Sequence, residues 1–113
     1  MKQTMNTILT EATGADAEDN NPANGSNRRV LRVWVVDDNA ALRGHFAHLL
    51  NRQPGIRCTH QLPSAEAVLA TLAEERPPDM IILDVNLGRK SGLLAIQPIK
   101  KLAPAVKVLL WTM

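Results

Sequence analysis

The sequence predicts an open α/β sheet of parallel strands with helices packed on both faces. Short apolar, β-branched runs alternate with segments whose apolar residues recur at helical spacing. The connections between them are short, and two of the runs stop abruptly in acid, at Asp37-Asp38 and at Asp84. Continuous apolar runs suit strands covered on both faces. Strand-helix alternation with short loops argues for right-handed parallel crossovers.

Val30 to Val36 is the first such run and reads as a strand. The next segment, Asn39 to about Arg52, carries Leu42, Phe46, Leu49 and Leu50 as one apolar stripe and reads as a helix. Gln53-Pro54-Gly55 terminates it. Ile56 to His60 is a short second strand. Ser64 caps the second helix, with Glu66 in the first turn, where negative charge suits the helix dipole. Ala65, Val68, Leu69 and Leu72 line its buried side, and Arg76-Pro77-Pro78 stops it.

Met80 to Asp84 is the third strand, apolar until its last residue. Val85 to Ser91 reads as a loop and Gly92 to Leu102 as a third helix. Pro98 within that helix removes a backbone bond, at ~3 kcal/mol in a regular interior, so a kink or a late helix start is expected. Val106 to Thr112 is the fourth strand. Residues 1–29 have few large hydrophobes and read as a flexible leader, although Thr4 to Thr13 has the makings of a short helix. Residues 30–113 carry the domain.

Composition narrows the function. The 113 residues suffice for one domain, and a hydrophobic content of 45% is that of a globular chain. Net charge is +2 and dispersed, without the basic stripe or recognition motif of nucleic-acid binding. A single cysteine, Cys58, excludes an internal disulfide. No run has the roughly 18 apolar residues of a membrane span, and the N-terminus lacks a secretion signal, so a cytoplasmic location is expected.

In an open parallel sheet, ligands bind outside the carboxyl ends of the strands where the strand order reverses. If the first and third strands are neighbours, Asp37, Asp38 and Asp84 meet at that edge. Three ionised carboxylates side by side repel and raise their own pKa values. A hard divalent cation resolves the conflict, and Mg²⁺ favours a few carboxylates plus waters. Each element alone has a plainer reading. Asp-Asp-Asn after a strand is often a helix cap, an acid ends many buried strands, and Thr112 at the same edge means nothing by itself. Their coincidence carries the signal.

The stretch from Val30 to Met113 resembles the receiver domain of two-component response regulators, particularly members with a C-terminal helix-turn-helix output domain. The resemblance rests on Val-Val-Asp37-Asp38-Asn39, on Ile-Ile-Leu-Asp84-Val-Asn86-Leu-Gly-Arg-Lys-Ser-Gly92 and on Val-Leu-Leu-Trp-Thr112. It implies a flavodoxin-like fold with strand order 2-1-3-4. Asp84 would be the phosphoacceptor, charged by a histidine kinase or phosphotransfer protein. Asp37, Asp38 and Asp84 would hold Mg²⁺, Asp37 or Asp38 through water, with the Asn86 carbonyl as a further ligand. Thr112 would bond the phosphoryl group and move inward. Such a module is not an enzyme in its own right; it regulates an output domain, and a receiver-receiver dimer is a further implied partner. Direct contact with nucleic acid or membrane is not expected.

Two departures from the family pattern bear on this. Gly88 stands where the family usually has Pro. The chain reads as truncated after the fourth strand: the fifth strand, its catalytic lysine and the last two helices have no counterpart, and Lys90 and Lys107 lie in the wrong places to substitute. Val106 to Trp111 would then be an exposed apolar edge. A switch-incompetent fragment acting only by partner binding, or without function, is the alternative. A Mg²⁺-dependent phosphohydrolase is a distant third, because position 86 is Asn where such enzymes place an acid or base. His45 and His48 read as surface histidines, Cys58 as core, Trp34 and Trp111 as sheet packing, and Arg89 and Lys90 as solvated loop charges.

Overall fold

The computed structural model describes residues 10–11, 29–88 and 90–112. Among these residues, seven strands and three helices follow in chain order: β1 (Thr10–Glu11), β2 (Leu31–Val36), α1 (Ala40–Asn51), β3 (Ile56–Leu62), α2 (Ala65–Leu72), β4 (Met80–Asp84), β5 (Asn86–Leu87), β6 (Lys90–Ser91), α3 (Ile96–Leu102) and β7 (Lys107–Trp111). A 3-10 turn, Gly92–Ala95, leads into α3. The main sheet has the order β1-β7-β4-β2-β3. β3, β2, β4 and β7 are mutually parallel. This is the predicted order 2-1-3-4 of a flavodoxin-like sheet.

The caps explain where the helices begin. Asn39 Oδ1 accepts from the Leu42 amide at 2.9 Å, and Ser64 Oγ from the Ala67 amide at 3.1 Å. Each satisfies one of the amides that a helix start leaves without an internal partner. After α1, Gly55 adopts φ 84° and its carbonyl accepts from the Leu31 amide at 2.7 Å. Glycine enters that left-handed region without the Cβ penalty, and the chain turns into β3. Pro98 is resolved as a late start. It occupies the third position of α3, where its missing N–H breaks no helix bond.

Alternation along the strands divides the core in two. Trp34, Val36, Ile81, Leu83, Val108 and Leu110 face α2 and α3, where Val68, Leu72 and Ile99 are buried against them. Val33, Ile82 and Trp111 face the other way, toward Leu42, Phe46 and Leu50 of α1. Phe46 meets Trp111 edge-on, with centroids 5.4 Å apart at 83°, a favourable arrangement for aromatic rings. The two tryptophans thus pack on opposite sheet faces.

Four sequence expectations need correction. Leu49, assigned to the α1 stripe, is 44% exposed, because the buried face turns through Ala47 instead. Cys58 is half-buried rather than core, with Sγ 3.3 Å from the His60 carbonyl. The loop after Asp84 contains a small hairpin, β5 with β6, in which Asn86 pairs Ser91 and Leu87 pairs Lys90; burial of Leu87 anchors it. Finally, β1 runs antiparallel along β7, with Thr10 opposite Leu110 and Glu11 opposite Leu109. Residues 10–11 are a strand, not part of a helix or a loose leader, because β7 offers unpaired N–H and C=O groups that a short segment satisfies. The remainder of the expected helix and leader lies outside the described residues. His45 and His48 are exposed, as expected.

Candidate metal centre

The register of the two central strands builds the site. Val36 pairs with Leu83 at the end of the β2–β4 ladder, so the next residues, Asp37 and Asp84, emerge side by side. One ligand oxygen from each of Asp37, Asp38 and Asp84 can be chosen such that all lie within 4.8 Å of one another. The three acids singled out in the sequence therefore converge.

Their environments differ. Asp37 is 1% exposed, and among the described residues it is the one buried charged side chain. Its Oδ1 accepts from the Asn39 amide at 2.9 Å, whereas Oδ2 is buried without a hydrogen-bond partner. A buried carboxylate oxygen without a partner costs free energy unless a proton or a cation satisfies it. Burial pushes the Asp37 pKa up; the Asn39 bond opposes this, and the charges of Asp84 and Asp38 add to the rise. Asp84 is half-buried, and its Oδ1 accepts from the Asn86 amide at 2.9 Å. Burial raises its pKa too, the Asn86 bond lowers it, and the Asp38 charge raises it further. Asp38 is exposed. Oxygen donors, mutual repulsion and the orphaned Oδ2 fit a hard divalent cation such as Mg²⁺ or Ca²⁺.

The other expected residues sit around this cluster. Thr112 follows β7, where Trp111 pairs with Asp84 and the Val85 amide donates to the Trp111 carbonyl at 2.9 Å. Thr112 is half-buried, at the same sheet edge as the acids. Asn86 is exposed at the head of the hairpin, its amide already engaged by Asp84. Lys107 begins β7 opposite Met80, at the far end of the strands from the acids. Arg89 and the Lys90 side chain lie outside the described residues.

Two further residues belong to the site without having been singled out for it. Arg43 Nη1 donates to the Asp37 carbonyl at 2.8 Å. Its position four residues after the Asn39 cap, on a helix whose side chains lean toward the N-terminus, is the one sequence signal that marks it. Gly88, with φ 66°, turns the hairpin beside Asp38; a Cβ there would lie 3.8 Å from Asp38 Oδ2. The positive φ gives a physical reason for Gly, and not Pro, at this position.

Comparisons with known proteins identify the family and the fold. The model of the response regulator receiver domain matches residues 33–113. Over 86 residues the chain is 37% identical to the protein-glutamate methylesterase/protein-glutamine glutaminase 4 of Anaeromyxobacter dehalogenans, covering 76% of this chain and 24% of that protein. The chain thus spans about a quarter of that relative's length. Among solved structures, a LuxR-family two-component response regulator from Aurantimonas sp. SI85-9A1 superposes with a TM-score of 0.68 at 26% identity, covering 74% of this chain and 59% of that one. A response regulator from Burkholderia pseudomallei, solved with a phosphorylated aspartic acid, a calcium ion and citrate, superposes at 0.58 with 29% identity, covering 69% and 44%. Fold, acidic edge and family match converge, and the chain belongs to the response regulator receiver domain family.

Proposed function

We propose that this domain accepts a phosphoryl group on Asp84 in a Mg²⁺-dependent transfer from a phosphohistidine donor, a histidine kinase or a phosphotransfer protein. The observation that carries the proposal is the convergence of three carboxylates within 4.8 Å, one of them ending a buried strand in a half-exposed position. The Burkholderia relative, solved with a phosphorylated aspartic acid and a divalent ion, supports the same reading.

Asp37, Asp38 and Asp84 would hold the ion, with the Asn86 carbonyl as a fourth protein ligand. Bound there, Mg²⁺ supplies neutralisation of carboxylate and phosphoryl charge. A carboxylate oxygen of Asp84 attacks phosphorus, the P–N bond breaks, and the donor imidazole, already protonated on its other ring nitrogen, takes the bonding pair and leaves as neutral imidazole. An aspartyl phosphate forms. The product carries up to about −2 charge, and the Thr112 hydroxyl is proposed to bond one of its oxygens. Inward movement of Thr112 toward that group, at the end of β7, would bias the surface presented to an output domain or a second receiver.

The test is incubation with acetyl phosphate and Mg²⁺ followed by intact-mass measurement. The wild-type chain gains about 80 Da, the mass of one phosphoryl group, and Asp84→Ala gains nothing. An adduct that persists in Asp84→Ala refutes the site.

A further inference from the structure

Asp37, Asn39 and Arg43 form a closed hydrogen-bonded ring that ties the end of β2 to the first turns of α1. The Asn39 amide donates to Asp37 Oδ1 at 2.9 Å, the Arg43 amide to the Asn39 carbonyl at 2.9 Å, and Arg43 Nη1 to the Asp37 carbonyl at 2.8 Å. The Asp37 amide is itself bound to the Leu62 carbonyl at 3.1 Å. The amide, carbonyl and one carboxylate oxygen of Asp37 are therefore all fixed, and only Oδ2 remains for a ligand.

We infer that Arg43 is a positioning residue for the metal centre, acting through the Asp37–Asp38 peptide group that it holds by its guanidinium. The carbonyl it grips belongs to the peptide bond joining the two acids, so fixing that plane fixes the direction in which Asp38 leaves the strand. Arg43 acts by orientation rather than by charge. Among the described residues it forms no ion pair with an acid of the cluster. Arg43 Nε is buried without a partner, so the side chain is not placed to satisfy all its own donors. Among the described residues, its one hydrogen bond from the guanidinium goes to the carbonyl between two candidate ligands. Groups that orient metal ligands in this manner govern affinity without touching the ion.

This inference rests on the acidic cluster being a Mg²⁺ site, and the experiment separates the two. Mg²⁺ affinity is measured by titration calorimetry on the wild-type chain, Arg43→Met and Arg43→Lys. Asn39 amide exchange is followed by NMR on the same proteins without metal. Methionine keeps the apolar stem and removes the donor; lysine keeps one donor. Arg43→Met should weaken Mg²⁺ binding about 10-fold, the lower end of the range for residues that orient ligands, and Asn39 exchange should accelerate. Arg43→Lys should fall between Arg43→Met and wild type on both measures. Ile99→Val, a core change remote from the acids, controls for general loosening and should leave both readings unaltered.

Wild-type-like Mg²⁺ affinity in Arg43→Met overturns the inference and leaves the metal site standing. So does an equal loss of affinity in Ile99→Val. A wild-type chain that binds no Mg²⁺ overturns the metal reading itself, and the Asn39 exchange rates still decide whether Arg43 holds the strand end.

Discussion

The carbonyl oxygen of Asp84 occupies the place that a Cβ on Gly92 would take. The Gly92 amide also donates to the Val85 carbonyl at 2.5 Å, so the 3-10 turn begins directly against the backbone of the proposed phosphoacceptor. Glycine is required there for lack of room, since its φ is not in the left-handed region. Gly92→Ala forces the loop or the end of β4 to move, and overpacking of this kind costs about 1–3 kcal/mol. The expected outcome is a lower Tm together with slower phosphorylation by acetyl phosphate. A Gly92→Ala chain with wild-type melting and labelling would show that the backbone is looser here than its contacts imply.

The metal-free acid cluster sets a pH dependence. Burial raises the pKa of Asp84 above 3.8, the Asn86 bond counters, and the Asp38 charge adds to the rise. The folded state then holds this proton more tightly than the unfolded chain, so stability is favoured below the ordinary value and declines as pH climbs through the raised one. Removing the charge should help at neutral pH. Without metal, the melting temperature of Asp84→Asn relative to wild type should increase from about pH 4 to pH 7. A constant difference across that window would mean that Asp84 does not titrate with a raised pKa.

The strand runs and all three acids were legible in the sequence as short-range patterns, whereas the strand order 2-1-3-4 came from the resemblance to receiver domains. Once the Val30–Val36 and Met80–Asp84 runs are neighbouring parallel strands, their acidic ends meet at one edge. The parts that escaped depend on contacts without such a pattern. Arg43 reads as one more helix-surface cation until its guanidinium is seen on the Asp37 carbonyl. The β5–β6 hairpin is two residues per strand, too short to alternate visibly. Thr10 and Glu11 pair with β7 in a backbone ladder, and backbone bonding leaves no mark on side-chain order.

Metal binding should stabilise the fold through the same three acids. A ligand that binds only the native state at about ten times its Kd contributes about 1.4 kcal/mol. In a domain of this size that corresponds to a Tm rise of roughly 6–11 °C. Asp37→Asn should abolish most of the Mg²⁺-induced shift, since it neutralises the carboxylate whose Oδ2 is buried and unpartnered. Its Oδ1 bond to Asn39 can be retained, so the metal-free fold should survive. An undiminished Mg²⁺ shift in Asp37→Asn would remove that residue from the ligand set.

At the opposite end of the strands, Asp79 works in the reverse sense to the cluster. Its Oδ2 accepts from the Arg32 amide at 2.8 Å and its Oδ1 from Arg29 Nη2 at 2.9 Å, joining the approach to β4 with the start of β2. Burial alone would raise its pKa, but the Arg32 bond and the hydrogen bond and charge of Arg29 outweigh it, and the pKa is lowered from 3.8. A carboxylate whose folded pKa is depressed stabilises the fold above the ordinary value, and that contribution fades as pH falls through the lowered one. Asp79→Ala removes a charged acceptor from a half-buried amide, a loss of about 1.5–3 kcal/mol. Chemical denaturation should show that deficit at pH 7 and a smaller one near pH 2–3, where the wild-type carboxylate is itself becoming protonated. A deficit that stays the same in acid would assign the effect of Asp79 to packing rather than to its charge.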